Sequence, residues 1–256
     1  MILTFDVGNT ETTAALFDQD TVRAHWRVTT NLPRTSDEFS LLLRSLLHAE
    51  GMTPAAVTGS AICSVVPPVT QPLAQACEDC FGTASVLIDA HANLPIRLEV
   101  DEPLTVGADR IANTLAASRI WKRDAIVVDL GTATTYDCIT KDGAFIGGII
   151  QPGVQTSAET LFRRTSQLAA TELIPPKKVI GTRTDECIRS GVLYGAADSI
   201  DGLVTRIRDE WGVASSIVVA TGGLAESLRP FCRTLDEVDP FLTLKGVKMG
   251  YDILTY

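Results

Sequence analysis

Two carboxylates, Asp6 and Asp129, sit inside the same short phrase at two places in the chain. Phe5-Asp6-Val7-Gly8-Asn9-Thr10 opens the sequence, and Val128-Asp129-Leu130-Gly131-Thr132 returns close to half a chain length later. In each, an apolar run delivers an Asp, a Gly two residues on, and then hydroxyl side chains. The Gly permits a sharp turn and lets backbone N–H groups approach an anion closely. A carboxylate repels phosphate, so the Asp reads as the holder of a hydrated Mg²⁺ that bridges phosphate oxygens. One such phrase alone is more readily a β-hairpin turn, which Asp, Gly and Asn favour. Two at half-chain spacing read instead as a duplicated unit whose paired turns suit a nucleoside triphosphate. Neither phrase contains Lys or Arg, so phosphate recognition must rest on amides, hydroxyls and metal.

A third carboxylate, Asp109, stands in Gly107-Ala108-Asp109-Arg110, just before the apolar-periodic stretch Ile111 to Trp121. That stretch predicts a helix, and the macrodipole favours an anion at its start. N-capping explains such an Asp, and so does an ionised base awaiting an alcohol proton. Arg110 beside it suits holding a substrate or steadying a transferring phosphoryl group. No Gly-x-x-x-x-Gly-Lys-Ser/Thr stretch and no Gly-x-Gly-x-x-Gly after a strand occurs, which excludes the P-loop and the dinucleotide fingerprint. Thr221-Gly222-Gly223-Leu224 follows the apolar run Ile217 to Ala220. It is either a simple turn or a flat backbone surface for a planar ring such as adenine.

These pieces in this order resemble the type III pantothenate kinases, a branch of the actin, sugar-kinase and heat-shock-chaperone superfamily. The resemblance also takes in Ser64-Val65-Val66-Pro67, Ala133-Thr134-Thr135, Gly147-Gly148, Pro152-Gly153 and Leu242-Thr243-Leu244-Lys245-Gly246. It implies an α/β fold of duplicated ribonuclease-H-like (actin-like ATPase) domains, with mixed five-stranded sheets flanked by helices and a cleft between lobes. It implies ATP-dependent phosphorylation of pantothenate, the first step of coenzyme A biosynthesis. Asp6, Val7, Gly8, Asn9, Thr10, Glu11, Thr12 and Thr13 would hold the ATP phosphates, with Thr132 a further ATP contact. Gly107, Ala108, Asp109, Arg110 and Thr184 would contact pantothenate, with Asp109 as catalytic base. Asp6 would carry Mg²⁺, and Asp129 a monovalent cation, K⁺ or NH₄⁺. At position 11 the family often has Asn or His, whereas Glu11 here adds a carboxylate beside triphosphate, unfavourable unless it faces solvent or joins the metal shell. The family's dimers partly enclose the pantothenate pocket, so a homodimer is expected. A nucleotide-binding regulatory protein, or a sugar or acetate kinase on the same scaffold, are the rival readings, since the fold alone does not decide function.

The elements that must position these groups follow from the pattern. Strands are expected over 2–7, 12–18, 21–29, 56–66, 85–88 and 96–100, and helices over 37–49 and 67–81. The second half repeats the order, with strands near 124–130, 134–140, 144–150 and 215–220. Helices are expected from 154, over 186–211 and from 240, and an irregular surface stretch over 165–185. The two lobes are set at 1–118 and 119–256. Gly191, Gly195, Ala196 and Ala197 permit close helix packing, either within the chain or across a dimer. Asp137, following the second phrase, reads more readily as a strand-surface residue than as a group at the cleft.

A net charge of −9 argues against nucleic-acid and anionic-membrane partners. No apolar run reaches the length of a membrane span, and the six scattered cysteines lack a disulfide rhythm, which fits a reducing cytoplasm. Cys77-x-x-Cys80 reads as two cysteines on a helix face before it reads as a metal or redox pair. His25, His48 and His91 lie outside every motif.

Overall fold

The computed structural model describes residues 1–165 and 168–256. Its elements are β1 (Ile2–Val7), β2 (Glu11–Asp18), β3 (Thr21–Thr29), α1 (Ser36–Ala49), β4 (Gly59–Ser64), α2 (Pro67–Phe81), β5 (Val86–Ile88), β6 (Arg97–Leu98) and α3 (Ala108–Trp121). They continue with β7 (Ala125–Leu130), β8 (Ala133–Ile139), β9 (Ala144–Pro152), α4 (Val154–Arg164), α5 (Thr184–Trp211), β10 (Ile217–Thr221), α6 (Ala225–Leu228), β11 (Glu237–Val238) and α7 (Leu242–Thr255). No helix among the described residues is long and apolar enough to cross a membrane.

The chain forms two units. Met1–Ile120, Gly143–Phe145 and Leu242–Tyr256 make up the first, Trp121–Asp142 and Ile146–Phe241 the second. The expected division at 118/119 therefore differs from the structure in one important respect: the last helix belongs to the first unit.

In unit 1 the sheet order is β3-β2-β1-β4-β5. β1 is almost wholly buried because it pairs antiparallel with β2 and parallel with β4, leaving no edge to solvent. One sheet face packs Leu3, Phe5 and Val7 against Phe39, Leu43 and Leu47 of α1 and Leu73 of α2. The other packs Ala61, Cys63 and Ile88 against Ile111 and Leu115 of α3 and Val247 and Tyr251 of α7. Local sequence starts and stops the helices. A Thr35–Glu38 capping box opens α1, contributing about 1 kcal/mol. Pro67 and Pro68 sit in the first turn of α2, where no N–H is needed, and left-handed Gly82 ends it. β4 is shorter than the expected 56–66 because Pro54–Ala56 form a 3₁₀ turn.

Unit 2 repeats the plan. β7 has β8 antiparallel on one side and β10 parallel on the other, as β1 has β2 and β4. β11, which was not foreseen, extends the sheet beyond β10. α5 covers one face, with Leu193, Ala197, Ile200 and Val204 packed on Ile126, Val128, Tyr136 and Val218. β9 spans both units, and within unit 1 its first residues pair in parallel with β6, Arg97 opposite Ala144 and Leu98 opposite Phe145. The second sheet thus has six strands rather than the five expected. Asp137, expected on the strand surface, is buried. Cys77 is buried, which pushes its thiol up to about 12 and makes it inert at neutral pH. No group of three or more His, Cys, Asp or Glu residues among the described residues is arranged to hold a metal.

Candidate active site

In unit 1 the first Asp phrase is a strand–turn–strand. Asp6 faces Thr13 across the β1–β2 pair and Cys63 across the β1–β4 pair, with its Oδ1 at 4.0 Å from the Cys63 thiol. Gly8, Asn9 and Thr10 form the turn. The Gly8 N–H donates to the Glu11 carbonyl at 3.1 Å, and the Thr10 carbonyl accepts from Thr30 N–H at 2.9 Å. Asn9, Thr10 and Glu11 are exposed, so this segment presents its donors to solvent. Two of the residues expected at the phosphates turn their side chains elsewhere. The Val7 side chain belongs to the core, and the Thr12 hydroxyl is buried in a 2.8 Å hydrogen bond with that of Thr30. Both follow from strand alternation, which turns every second side chain inward. Glu11 is solvent-facing and lies 3.9 Å from Arg27, an exposed pair worth little. Its carboxylate is therefore drawn to the outside of the hairpin.

Asp109 lies in the first turn of α3. The Gly107 carbonyl accepts the first helical bond, from Ile111 N–H at 3.2 Å, and the Arg110 N–H donates to Asp109 Oδ1 at 2.8 Å. Burial pushes the Asp109 carboxyl above its ordinary value, against the Arg110 N–H and the Arg110 guanidinium, which pull it down. The helix start favours the anion; desolvation acts in the opposite direction and is the larger influence. Gly107 leaves room for the carboxylate: a Cβ there would stand 2.5 Å from Asp109 Oδ1 and 3.7 Å from Val65 Cγ1. Val65 also donates its N–H to the Val7 carbonyl at 3.1 Å. One residue thus touches both the end of the Asp6 strand and the approach to Asp109. The Arg110 guanidinium lies 4.8 Å from the Phe145 ring centroid, a cation–π arrangement that fixes its direction.

In unit 2 the second phrase forms the β7–β8 turn, with Asp129 opposite Thr135 and Leu130 opposite Thr134. Two neighbours close on this turn. Gly222, left-handed at φ +87, follows β10 so tightly that a Cβ would stand 2.6 Å from Asp129 Oδ1 and 2.7 Å from the Leu130 carbonyl carbon. The start of α4 approaches from the other direction, with Gly153 N–H and Thr156 Oγ1 both donating to the Thr132 carbonyl, at 3.1 and 2.7 Å. Thr184 is the first residue of α5. It lines a cavity of about 630 Å³ together with Thr134, Gln151, Ser157, Gly191 and Gly195.

The structure places Asp6, Gly8, Asn9, Thr10, Glu11 and Thr13 with Gly107, Ala108, Asp109 and Arg110 in unit 1, and Asp129, Thr132 and Thr184 in unit 2. Three participants carried no assigned role in the sequence. Val65 lay inside a quoted motif, and Thr156 one turn beyond another. Phe145 had no local signal, because only the β6–β9 pairing brings it to Arg110.

The type III pantothenate kinase family profile matches residues 2–206. A relative from Roseiflexus sp. (strain RS-1), named a type III pantothenate kinase, is 42% identical over 253 residues, covering 99% of each chain. One of the same name from Moorella thermoacetica is 39% identical over 254 residues, covering 98% of this chain and 99% of its own. Among solved structures, a conserved candidate Baf family transcriptional activator from Campylobacter jejuni superposes with a TM-score of 0.61 at 18% identity over 98% of both chains. A ROK hexokinase from Thermus thermophilus gives 0.52 at 11% identity over 97% of both. At those identities the two structures establish the fold alone, the duplicated sheet-and-helix plan described above. The profile match and the full-length relatives establish more: this chain belongs to the type III pantothenate kinase family.

Proposed function

We propose that the chain transfers the γ-phosphoryl group of ATP to the primary hydroxyl of pantothenate, with Asp109 as the base. The observation that carries this is the link through Val65, which ties the turn following Asp6 to the glycine beside the Asp109 carboxylate. A donor-bearing turn at the end of a sheet strand and a half-buried carboxylate on the helix packed against that sheet meet the main demand of phosphoryl transfer, which is alignment. Burial raises the carboxyl above its ordinary value, which makes its anion the stronger proton acceptor. Arg110, braced on Phe145, is oriented to hold the acceptor or to balance phosphoryl charge.

The nucleotide's metal fits Asp6 in kind. Asp6 belongs to no group of three or more His, Cys, Asp or Glu among the described residues, and a lone protein carboxylate would suit Mg²⁺, which commonly keeps waters and binds substrate phosphates. When bound, Mg²⁺ neutralises charge on the transferring group. Asp129, with Gly222 packed on its carboxylate, is assigned to the monovalent cation, Thr132 to the nucleotide, and Thr184 to pantothenate. Glu11 keeps its place in the phosphate-binding turn through its backbone alone, its carboxylate facing solvent toward Arg27. A second copy of the chain is assigned to the small-residue face of α5: side chains built at Gly191 and Gly195 would meet nothing within 4 Å among the described residues, which leaves room for a partner there. Light scattering of the purified protein reads the dimer directly.

Asp109→Asn tests the central assignment. The variant folds and binds ATP, and turnover falls by about 10²–10⁴-fold. Mass-spectrometric detection of 4′-phosphopantothenate from protein, ATP, Mg²⁺ and K⁺ is the readout. Near-normal turnover removes Asp109 from the role, and no product from the parent protein removes the activity.

A further inference from the structure

A carboxylate is aimed only as well as the helix that carries it, and α3 is gripped one turn beyond Asp109 by α7. Thr243 Oγ1 donates to Asn113 Oδ1 at 2.9 Å, with the two residues 6% and 1% exposed. Three positions further along α7, Gly246 brings backbone against backbone, since a Cβ there would run into the Ala112 carbonyl oxygen. Val247 and Tyr251 extend the contact in a cluster with Ala108, Ile111, Ala112 and Leu115. Ala112 and Asn113 are the third and fourth residues after Asp109, which places all three on one side of α3.

An apolar interface alone resists separation better than sliding. A slip of one residue costs it little area, yet translates a helix by about 1.5 Å and rotates it by about 100°. A buried hydrogen bond beside a glycine contact has no such freedom, because a shifted register leaves a polar pair unmade. We propose that Thr243 and Asn113 are positioning residues for phosphoryl transfer, holding α3 in the one register that presents the Asp109 carboxylate to the acceptor hydroxyl, with Gly246 as the contact that lets the helices meet. The inference rests on Asp109 being the base.

The test compares Thr243→Val, Thr243→Ser and Asp109→Asn with the parent protein in kcat, in KM for ATP and pantothenate, and in thermal unfolding. Thr243→Val keeps the shape and deletes the hydroxyl, and kcat falls about tenfold or more while KM for ATP stays within about twofold. Thr243→Ser restores the donor and returns kcat to within about twofold of the parent. Thr243→Ala, which adds no methyl group in place of the hydroxyl, serves where the Val variant does not fold. Parent-like kcat in the folded Val or Ala variant overturns the positioning role, as does a loss that merely tracks the folded fraction or that Ser fails to rescue. Normal turnover by Asp109→Asn overturns instead the assignment of the base, so the two failures are distinguishable.

Discussion

Gly107→Ala separates catalysis from folding at a single methyl group. The Cβ would stand 2.5 Å from Asp109 Oδ1, whereas its next neighbours, Asp109 Cγ and Val65 Cγ1, lie at 3.6 and 3.7 Å, which are ordinary contacts. The backbone does not obstruct the change, so the strain falls on the carboxylate alone. To reach a tolerable 3.0–3.4 Å separation, Oδ1 must give way by about 0.5–0.9 Å, loosening the 2.8 Å bond from Arg110 N–H. A reacting group misplaced by about 1 Å costs roughly 10²-fold. The expected loss in kcat is therefore roughly 10- to 60-fold, or about 1.4–2.4 kcal/mol of barrier. Folding stability stays level or rises by about 0.4–1 kcal/mol, because Ala restricts the unfolded chain more than Gly. Steady-state kinetics beside a denaturant titration reads both quantities. Parent-like kcat in a folded Gly107→Ala protein refutes the reasoning, and so does lost activity accompanied by an equal loss of stability.

Three further outcomes are expected. Asp129→Ala leaves a folded protein whose phosphorylation rate no longer responds to K⁺ or NH₄⁺; an unchanged response in a cation titration rejects that ligand. Phe145→Leu removes the ring beneath Arg110 and raises KM for pantothenate about fivefold, from about 1 kcal/mol of cation–π interaction, with KM for ATP unaffected. Asp201→Ala tests stability: burial pushes this carboxyl up, but bonds from the backbone N–H groups of Arg233 and Thr234 and from both their side chains outweigh it and hold it below 3.8. Deleting the acceptor leaves several donors unmatched and costs roughly 3 kcal/mol at neutral pH. Because the folded value is depressed, that increment is fully present above the unfolded value of 3.8 and fades as pH drops through the folded one. The gap in urea midpoint between parent and variant should narrow as pH falls below 3.8; a gap that stays constant under acidification argues against the assigned network.

What could be read in advance depended on how local the cause was. The two Asp turns were legible because a strand ending in Asp-x-Gly needs only its own residues to announce it, and the repetition removed the ambiguity of a lone hairpin. The α1 and α2 boundaries were legible through Thr35 and Pro67, which act within one turn. The apolar face of α7 was visible too, but periodicity says that a face is buried and not against what, so its assignment to the first unit was beyond reach. Two-residue strands such as β6 and β11 carry no usable period. The upward push on the Asp109 carboxyl was out of reach for a related reason: the helix start is a sequence-local effect, while the desolvation that opposes it comes from layers assembled from distant segments. Thr12 and Val7 were assigned to the phosphates as members of a continuous run, and strand alternation divides such a run between two faces.

Because residues 242–256 complete the unit that begins at Met1, that unit cannot close its helical layer until the entire second unit has been synthesised. During translation the sheet of β1 to β5 emerges early with the surface later covered by Val247 and Tyr251 still bare. The ribosome therefore releases an amino-terminal half in waiting, and the helix that seals it is made only after the whole of the second unit.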